Sequence, residues 1–330
     1  LPAKKGIILS GMRPTGKLHL GNLFGALENW VKLQEEYDCF YCVVDWHALT
    51  TDYENPRKVE ENVREMVMDW LSCGIDPQKA VVFKQSDVKE HAELHLLLSM
   101  LTPLSWLERV PTYKEQLNQL KGKNISTYGF LGYPLLQAAD ILVYKANAVP
   151  VGEDQAPHIE LTREIARRFN YLYKQQVFPE PETLLNIYKV VPGLDNRKMS
   201  KSYNNIIEIS IPLEEIPSRV RMMITDPGRI RKNDPGNPDI CSVFAYHRIF
   251  NQDNQAEVEE SCKKGSIGCV QCKTSVSTYM QNFLEPIYYK RRELEKNSQL
   301  VMEILAEGGK KARAVAQKTM EEVRQAMGLS

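Results

Sequence analysis

Apolar and polar positions alternate along the chain in two distinct rhythms. Gly6-Ile7-Ile8-Leu9 is a short run without polar interruption, bounded by small residues and a proline. It predicts a strand buried on both faces. Behind it, Leu20, Leu23, Phe24, Leu27, Trp30 and Val31 recur at helical spacing. The sequence then repeats this alternation. Cys39-Phe-Tyr-Cys-Val-Val-Asp45 reads as a second buried strand, followed by Trp46-His47. A helix is predicted over Pro56–Cys73, with Val59, Val63, Met66, Val67 and Trp70 on one face. A turn at Gly74–Pro77 leads to a third strand, Ala80–Phe83. Such alternation predicts an α/β protein with a Rossmann-like, doubly wound parallel sheet.

The segment from Val88 to Tyr133 breaks the rhythm. His91–Leu101 is helical in pattern, and the polar Leu117–Thr127 is a mobile-loop candidate, so the segment reads as an insertion between two halves of the sheet. The alternation resumes with a helix over Pro134–Tyr144 and a strand over Ala148–Val151. Gly152-Glu153-Asp154-Gln155 then opens a helix over Pro157–Asn170. From Pro192 the composition changes to a polar, basic loop. Helical patterns follow at Leu213–Met223, Cys241–Phe250 and Ser275–Leu305, and a last amphipathic helix at Lys310–Met327. The expected organisation is therefore an α/β unit over 1–190 with an inserted helical segment at about 88–133. A linker loop spans 191–206, an all-α C-terminal domain 207–306, and a helix over 307–330 packs back on the first unit.

Composition narrows the partners. Lys+Arg and Asp+Glu number 42 each in 330 residues, so any contact with nucleic acid must come from a local patch. No apolar run approaches the roughly 20 residues of a membrane span, and no secretory segment is evident. Seven cysteines in a long charged chain point to a reduced environment rather than a disulfide framework. A cytoplasmic protein without a membrane partner is expected.

Two stretches carry candidate chemistry. Ser10–Asn22 joins the first strand to the first helix through a glycine-punctuated turn. Gly11, Gly16 and Gly21 permit close approach of a ligand, and the helix start offers N–H groups to phosphate. His19 adds an imidazole that can donate to phosphate oxygens as charge builds. In Arg197-Lys198-Met199-Ser200-Lys201-Ser202, two lysines three apart with interleaved hydroxyls can enclose a polyphosphate. Alone, the first is an ordinary turn and the second a solvated linker; together, in an α/β sheet and at a domain boundary, they are far more specific.

The cysteines divide into two groups. Cys39 and Cys42 lie an odd distance apart on one strand and so point to opposite faces, which argues against a shared metal; with Cys73 they read as core residues. Cys241, Cys262, Cys269 and Cys272, spaced C-x₂₀-C-x₆-C-x₂-C, suit a closed four-thiolate site. Their chemistry alone accommodates zinc and a [4Fe–4S] cluster equally.

These motifs resemble a known family. Thr15-Gly-Lys-Leu-His-Leu-Gly-Asn22 is similar to the "HIGH" signature of class I aminoacyl-tRNA synthetases, and Lys198-Met-Ser-Lys-Ser202 matches their "KMSKS". Val149–Gln155 with His158–Arg163, Tyr133–Ile141 and the tail Ala312–Leu329 resemble the bacterial tryptophanyl branch. The resemblance spans nearly the whole chain. It implies activation of L-tryptophan by ATP with Mg²⁺, transfer to tRNA(Trp), and a homodimer formed through the inserted segment.

The resemblance also implies roles. His19, Asn22, Lys198 and Lys201 would be catalytic. Arg13, Gly21, Gly152, Glu153, Asp154, Val190, Met199, Ser200 and Ser202 would join them around ATP. Gly11, His47, Tyr133, Gln137, Asp140, Ile141, Val149, Val151 and Gln155 would surround tryptophan, with Asp140 accepting from the indole N–H, a ring that offers one donor and no acceptor. The four-cysteine spacing is similar to that of a bacterial subset carrying [4Fe–4S] near the anticodon-binding surface, which favours the cluster over zinc. Three positions depart from the pattern. Gln116 stands where some relatives carry lysine, with Lys114, Lys121 and Lys123 as possible substitutes. Gln137 stands where many tryptophanyl enzymes have methionine and resembles the tyrosyl branch. Leu9 replaces an aromatic residue. A tyrosine-specific ligase and a non-catalytic tRNA-binding paralogue are the alternatives.

Overall fold

The structure is a computed structural model that describes residues 4–111, 126–185 and 191–329. Its centre is a five-stranded, wholly parallel sheet in the order β3-β2-β1-β4-β5. The strands are β1 (Ile7–Met12), β2 (Asp38–Val43), β3 (Ala80–Lys84), β4 (Ala148–Val151) and β5 (Glu182–Leu185). The chain winds outward from β1 to β3, then crosses to the other side of β1 for β4 and β5. In open parallel sheets such a reversal opens a crevice beyond the carboxyl ends of the strands. Here it lies between β1 and β4.

β1 runs further than its apolar run predicts. Gly11 and Met12 still pair with Cys42 and Val43, so the turn begins three residues later than expected. A Cβ on Gly11 would lie 2.8 Å from the Val44 side chain, so the glycine lets the strand pass close to its neighbour. Asp45, expected in β2, instead starts the helix Asp45–Asp52; its Oδ1 accepts from the Trp46 and Ser86 N–H groups at 3.1 and 3.0 Å. An acid at a helix start complements its dipole. The helix turns His47 inward. The faces of β2 divide as parity requires: Cys39 joins one core cluster, with Trp30 and Trp70, and Cys42 the other, with Leu94 and Leu142. β5 has no sequence forerunner, because this short edge strand is only partly buried and carries no apolar run.

Helix formation after β1 is continuous over 20–36 but includes a π turn at Leu23–Leu27. Within the inserted segment the described helices are Glu90–Ser99, Leu104–Glu108 and Tyr128–Leu131, before Tyr133–Val143 leads back to β4. Gln116, Lys114, Lys121, Lys123 and most of the polar loop candidate lie outside the described residues, as does Val190.

Beyond the sheet the chain is helical: Ile216–Arg221, Ser242–Phe250, Gln255–Lys263, Cys269–Lys296 and Ser298–Met327. The expected helix over 275–305 is in fact two. Asn297, at φ −123° and ψ 58°, interrupts it, and the last helix begins at Ser298 rather than Lys310. Gln255–Lys263 escaped notice because Val258 is its one buried residue. The last helix runs along β3. Gly308 makes the closest approach, since a Cβ there would sit 1.9 Å from the Val82 carbonyl oxygen. Arg313–Glu90, Arg324–Glu93 and Lys145–Glu322 pairs at 3.1, 2.7 and 2.6 Å flank the contact. The helix thereby covers a sheet edge that would otherwise be open to pairing. No helix of the described residues is long and apolar enough to cross a membrane.

Candidate active site

A cavity of about 340 Å³ opens at the β1–β4 crevice. β1 contributes Leu9 and Gly11, β4 contributes Val149 and Val151, and the helix Tyr133–Val143 presents Tyr133, Gln137, Asp140 and Ile141. His47 and Gln155 complete the wall, so all nine residues expected around the amino acid border one space. Arg13 and Gly152 border it too. The sequence offered no sign of Thr50, Ala26 or Phe130, which join them through helical geometry alone.

At the floor, Asp140 is almost fully buried and accepts from three side chains. His47 Nε2 lies at 2.9 Å from Oδ2 and His91 Nδ1 at 2.7 Å from Oδ1; Gln85 Nε2 straddles both oxygens at 2.8 and 2.9 Å. Burial alone would raise its pKa, but the adjoining His91 and the hydrogen bonds from both imidazoles hold it down at about 2. It is a fixed, ionised acceptor. Arg13, at the rim, donates to the Ala48 carbonyl at 3.5 Å and to Thr51, with Asp52 at 3.7 Å; burial lowers its pKa against the pull of Asp52.

The two charged motifs meet each other. His19 sits at the helix N-cap in extended conformation, where its N–H donates to Asn22 Oδ1 at 3.0 Å. Leu20 N–H donates to the Ile207 carbonyl at 3.0 Å and Ile209 N–H to the Leu18 carbonyl at 2.9 Å, so 18–20 is laced to the strand-like segment after the lysine loop. Lys201 reaches across and donates from Nζ to the Thr15 carbonyl at 2.8 Å. Gly16, at φ +98°, makes the turn beneath it, a conformation that favours glycine. The space above Gly21 holds the His19 ring, 3.0 Å from where a Cβ would be, so this glycine accommodates the imidazole as well as any ligand.

Within the loop, Lys198 is exposed and Met199 is buried in the core with Leu18 and Leu20, which leaves Met199 only its backbone to face a nucleotide. Ser200 N–H donates to Asn205 Oδ1 at 2.8 Å, and Asn205 Nδ2 donates to the Lys198 carbonyl at 3.2 Å, which holds the loop in shape. Ser202 belongs to the turn Lys201–Tyr203. Glu153 and Asp154 are exposed, and Asp154 Oδ2 accepts from Gln155 Nε2 at 2.9 Å.

The four remaining cysteines gather at the starts of two helices and the end of a third. Cys241 precedes Ser242–Phe250, Cys262 ends Gln255–Lys263, and Cys269 and Cys272 open the helix Cys269–Lys296. Burial raises the Cys272 thiol to about 12, and the other three thiols, close enough to repel its charge, push the same way. Arg229 Nη1 lies 3.9 Å from Cys262 Sγ, and a Cβ on Gly236 would lie 2.7 Å from that sulfur. Among the described residues no three His, Cys, Asp or Glu side chains stand together closely enough to hold a metal ion as they are.

A parallel sheet with a cavity at its switch point, beside a histidine turn laced to a lysine loop, is the layout of a nucleotide-using α/β enzyme. The comparisons specify it. The family model of class I tRNA synthetases (W and Y) matches residues 2–285. The tryptophan–tRNA ligase of Thermotoga maritima is 58% identical over 98% of this chain and 99% of its own length. That of Aquifex aeolicus is 49% identical over 98% and 99%. The crystal structure of tryptophanyl-tRNA synthetase from Campylobacter jejuni, complexed with ADP and tryptophan, superposes with a TM-score of 0.89 at 35% identity, covering 98% of this chain and 100% of that one. This chain belongs to the class I tRNA synthetases of the tryptophan and tyrosine type.

His19 provides the sharpest electrostatic expectation. Burial, and then the charge of Lys201, lower its pKa from 6.5 to about 4, so the imidazole is neutral at pH 7 and can donate a single N–H. Between those values the unfolded chain binds a proton that the folded chain refuses, so this group's contribution to stability falls as pH drops through that window. NMR titration of the folded protein should show His19 titrating near 4; a midpoint at or above 6.5 would contradict the burial described.

Proposed function

We propose that the chain joins L-tryptophan to tRNA(Trp) in two steps. The family, the identity of its relatives over nearly their whole length, and the cavity floored by an ionised carboxylate together support this reading. In the first step the tryptophan carboxylate attacks the α-phosphorus of ATP. A new P–O bond forms, the bond to the β-phosphate breaks, and pyrophosphate leaves; Mg²⁺ on the phosphates would offset part of their charge. In the second, a hydroxyl of the tRNA 3′-terminal ribose attacks the aminoacyl carbonyl, and AMP departs.

The first step needs no base, because the nucleophile is already ionised. Catalysis rests on positioning and charge neutralisation. Neutral His19 donates to a phosphate oxygen, and Asn22 fixes the backbone that presents it. Lys198 and Lys201, with Ser200 and Ser202, close on the departing pyrophosphate. Arg13, Gly21, Gly152, Glu153, Asp154, Val190 and the Met199 backbone border the nucleotide. Losing one such preorganised donor typically costs about 10²–10³ in rate. In the amino-acid cavity Asp140 accepts from the indole N–H, while Gly11, His47, Tyr133, Gln137, Ile141, Val149, Val151 and Gln155 enclose the ring.

The chain divides by role into a catalytic unit over 1–190, the lysine loop over 191–206, an anticodon-binding region from 207 to the break at Asn297, and the C-terminal helix Ser298–Met327. It acts in the cytoplasm as a homodimer. The dimer is supported by exposed Leu96, Met100, Leu104 and Tyr128, all in the inserted segment. Cys241, Cys262, Cys269 and Cys272 hold a [4Fe–4S] cluster, zinc being the second reading. The donor set fits in kind, four thiols on helix ends with an arginine beside one of them. Such a group would cross-link three helices and supply structural cohesion.

ATP–pyrophosphate exchange tests the activity. Exchange should require tryptophan, and exchange driven by tyrosine instead would overturn the specificity; absence of exchange with any amino acid, alongside tight tRNA binding, would favour the non-catalytic paralogue. Anaerobically purified protein should contain iron and acid-labile sulfide. Stoichiometric zinc without iron would replace the cluster, and neither metal would remove the site.

A further inference from the structure

The carboxylate at the cavity floor is gripped from behind. Asp140 sits on the helix Tyr133–Val143, and its partners arrive from three other elements. His47 comes from the helix Asp45–Asp52 and borders the cavity. Gln85, in the turn after β3, and His91, in the helix Glu90–Ser99, do not border it, and both are fully buried at 0% exposure. The Oδ1 oxygen is committed to Gln85 and His91, whereas Oδ2 is shared between Gln85 and the cavity-facing His47. His91 is itself fixed, because its Nε2 lies 2.7 Å from the hydroxyl of buried Tyr144. The polar chain thus runs from Tyr144 through His91 to Asp140 and ends at the cavity.

A single hydrogen bond discriminates well only if the acceptor cannot turn to meet a poorer partner. On its own, an aspartate on a helix has two side-chain rotations to lose. With Oδ1 tied from behind, the plane of the carboxylate is set before any ligand arrives. Oδ2 is the oxygen bonded to the cavity-bordering His47. We infer that His91 is a positioning residue for amino-acid selectivity: it locks Asp140 so that Oδ2 reads a ring N–H, without touching the substrate itself. Gln85 and Tyr144 support it from either side. The inference rests on the tryptophan reading of the cavity.

The test compares tryptophan with β-(benzothiophen-3-yl)alanine, in which sulfur replaces the ring N–H, in pyrophosphate exchange. The wild-type chain should prefer tryptophan by about 10-fold or more in kcat/KM, the range expected of a hydrogen bond to a charged acceptor. His91→Phe should raise the KM for tryptophan about 10-fold, leave KM for ATP and kcat/KM for the sulfur analogue within about threefold, and so erase the preference. His91→Asn keeps an N–H near the Nδ1 position and should restore most of it. Tyr144→Phe, a milder change that tests the same chain if His91→Phe fails to fold, should give a partial loss. Equal loss for both amino acids, or an intact preference in His91→Phe and Tyr144→Phe, would overturn the inference while leaving the activity standing. A wild-type chain that exchanges with tyrosine and not tryptophan would overturn the reading beneath it and the inference together.

Discussion

Two backbone hydrogen bonds set the geometry on which everything else depends. Leu20 to Ile207 and Ile209 to Leu18 lace the histidine turn to the segment that follows the lysine loop. A triphosphate carries more negative charge than either segment neutralises alone, and Lys201 already crosses to the Thr15 carbonyl at 2.8 Å. On the proposed reaction the two motifs form one clamp built from distant parts of the chain. Holding its halves together in advance removes an ordering cost that would otherwise oppose the transition state.

Behind the clamp, two buried aspartates show how neighbours decide the state of the same side chain. Asp69 accepts the Leu18 N–H at 2.8 Å and pairs with buried Arg291 of the helix Cys269–Lys296 at 2.7 Å. Burial nonetheless raises its pKa to about 6, since Arg291 only partly offsets it and Glu65 repels. Asp140, gripped by two imidazoles and an amide, goes the other way, to about 2. The first carboxylate ties the helical region to the histidine turn, and breaking such a buried pair typically costs about 3–5 kcal/mol. The second stays ionised as a fixed acceptor at the cavity. One joins distant parts of the chain; the other faces the cavity.

Much of this was legible in the sequence, and the reasons differ by element. β1, β2, β3 and β4 announce themselves as apolar runs because both faces of a parallel strand are buried. β5 is a half-exposed edge, so it leaves no such run. The nine cavity residues were reached through motif resemblance, and the fold brings them to one space. Gln85 and His91 were missed because a polar residue in the core has no periodic signature; its meaning depends on Asp140, far away in sequence. The break at Asn297 was missed for a related reason: helical periodicity continues on both sides of it, and one residue of backbone geometry makes the difference. The role of Gly308 is likewise invisible until Val82 is placed beneath it.

The unity of the clamp is best tested by a double-mutant cycle between His19 and Lys201, read as the rate of adenylate formation in a single turnover. If the two side chains act on the same developing charge, His19→Ala and Lys201→Ala should each slow the step, and the double variant should lose distinctly less than the product of the two factors. Tryptophan binding should stay close to wild type in all three. Multiplicative losses would show two independent segments and contradict the account.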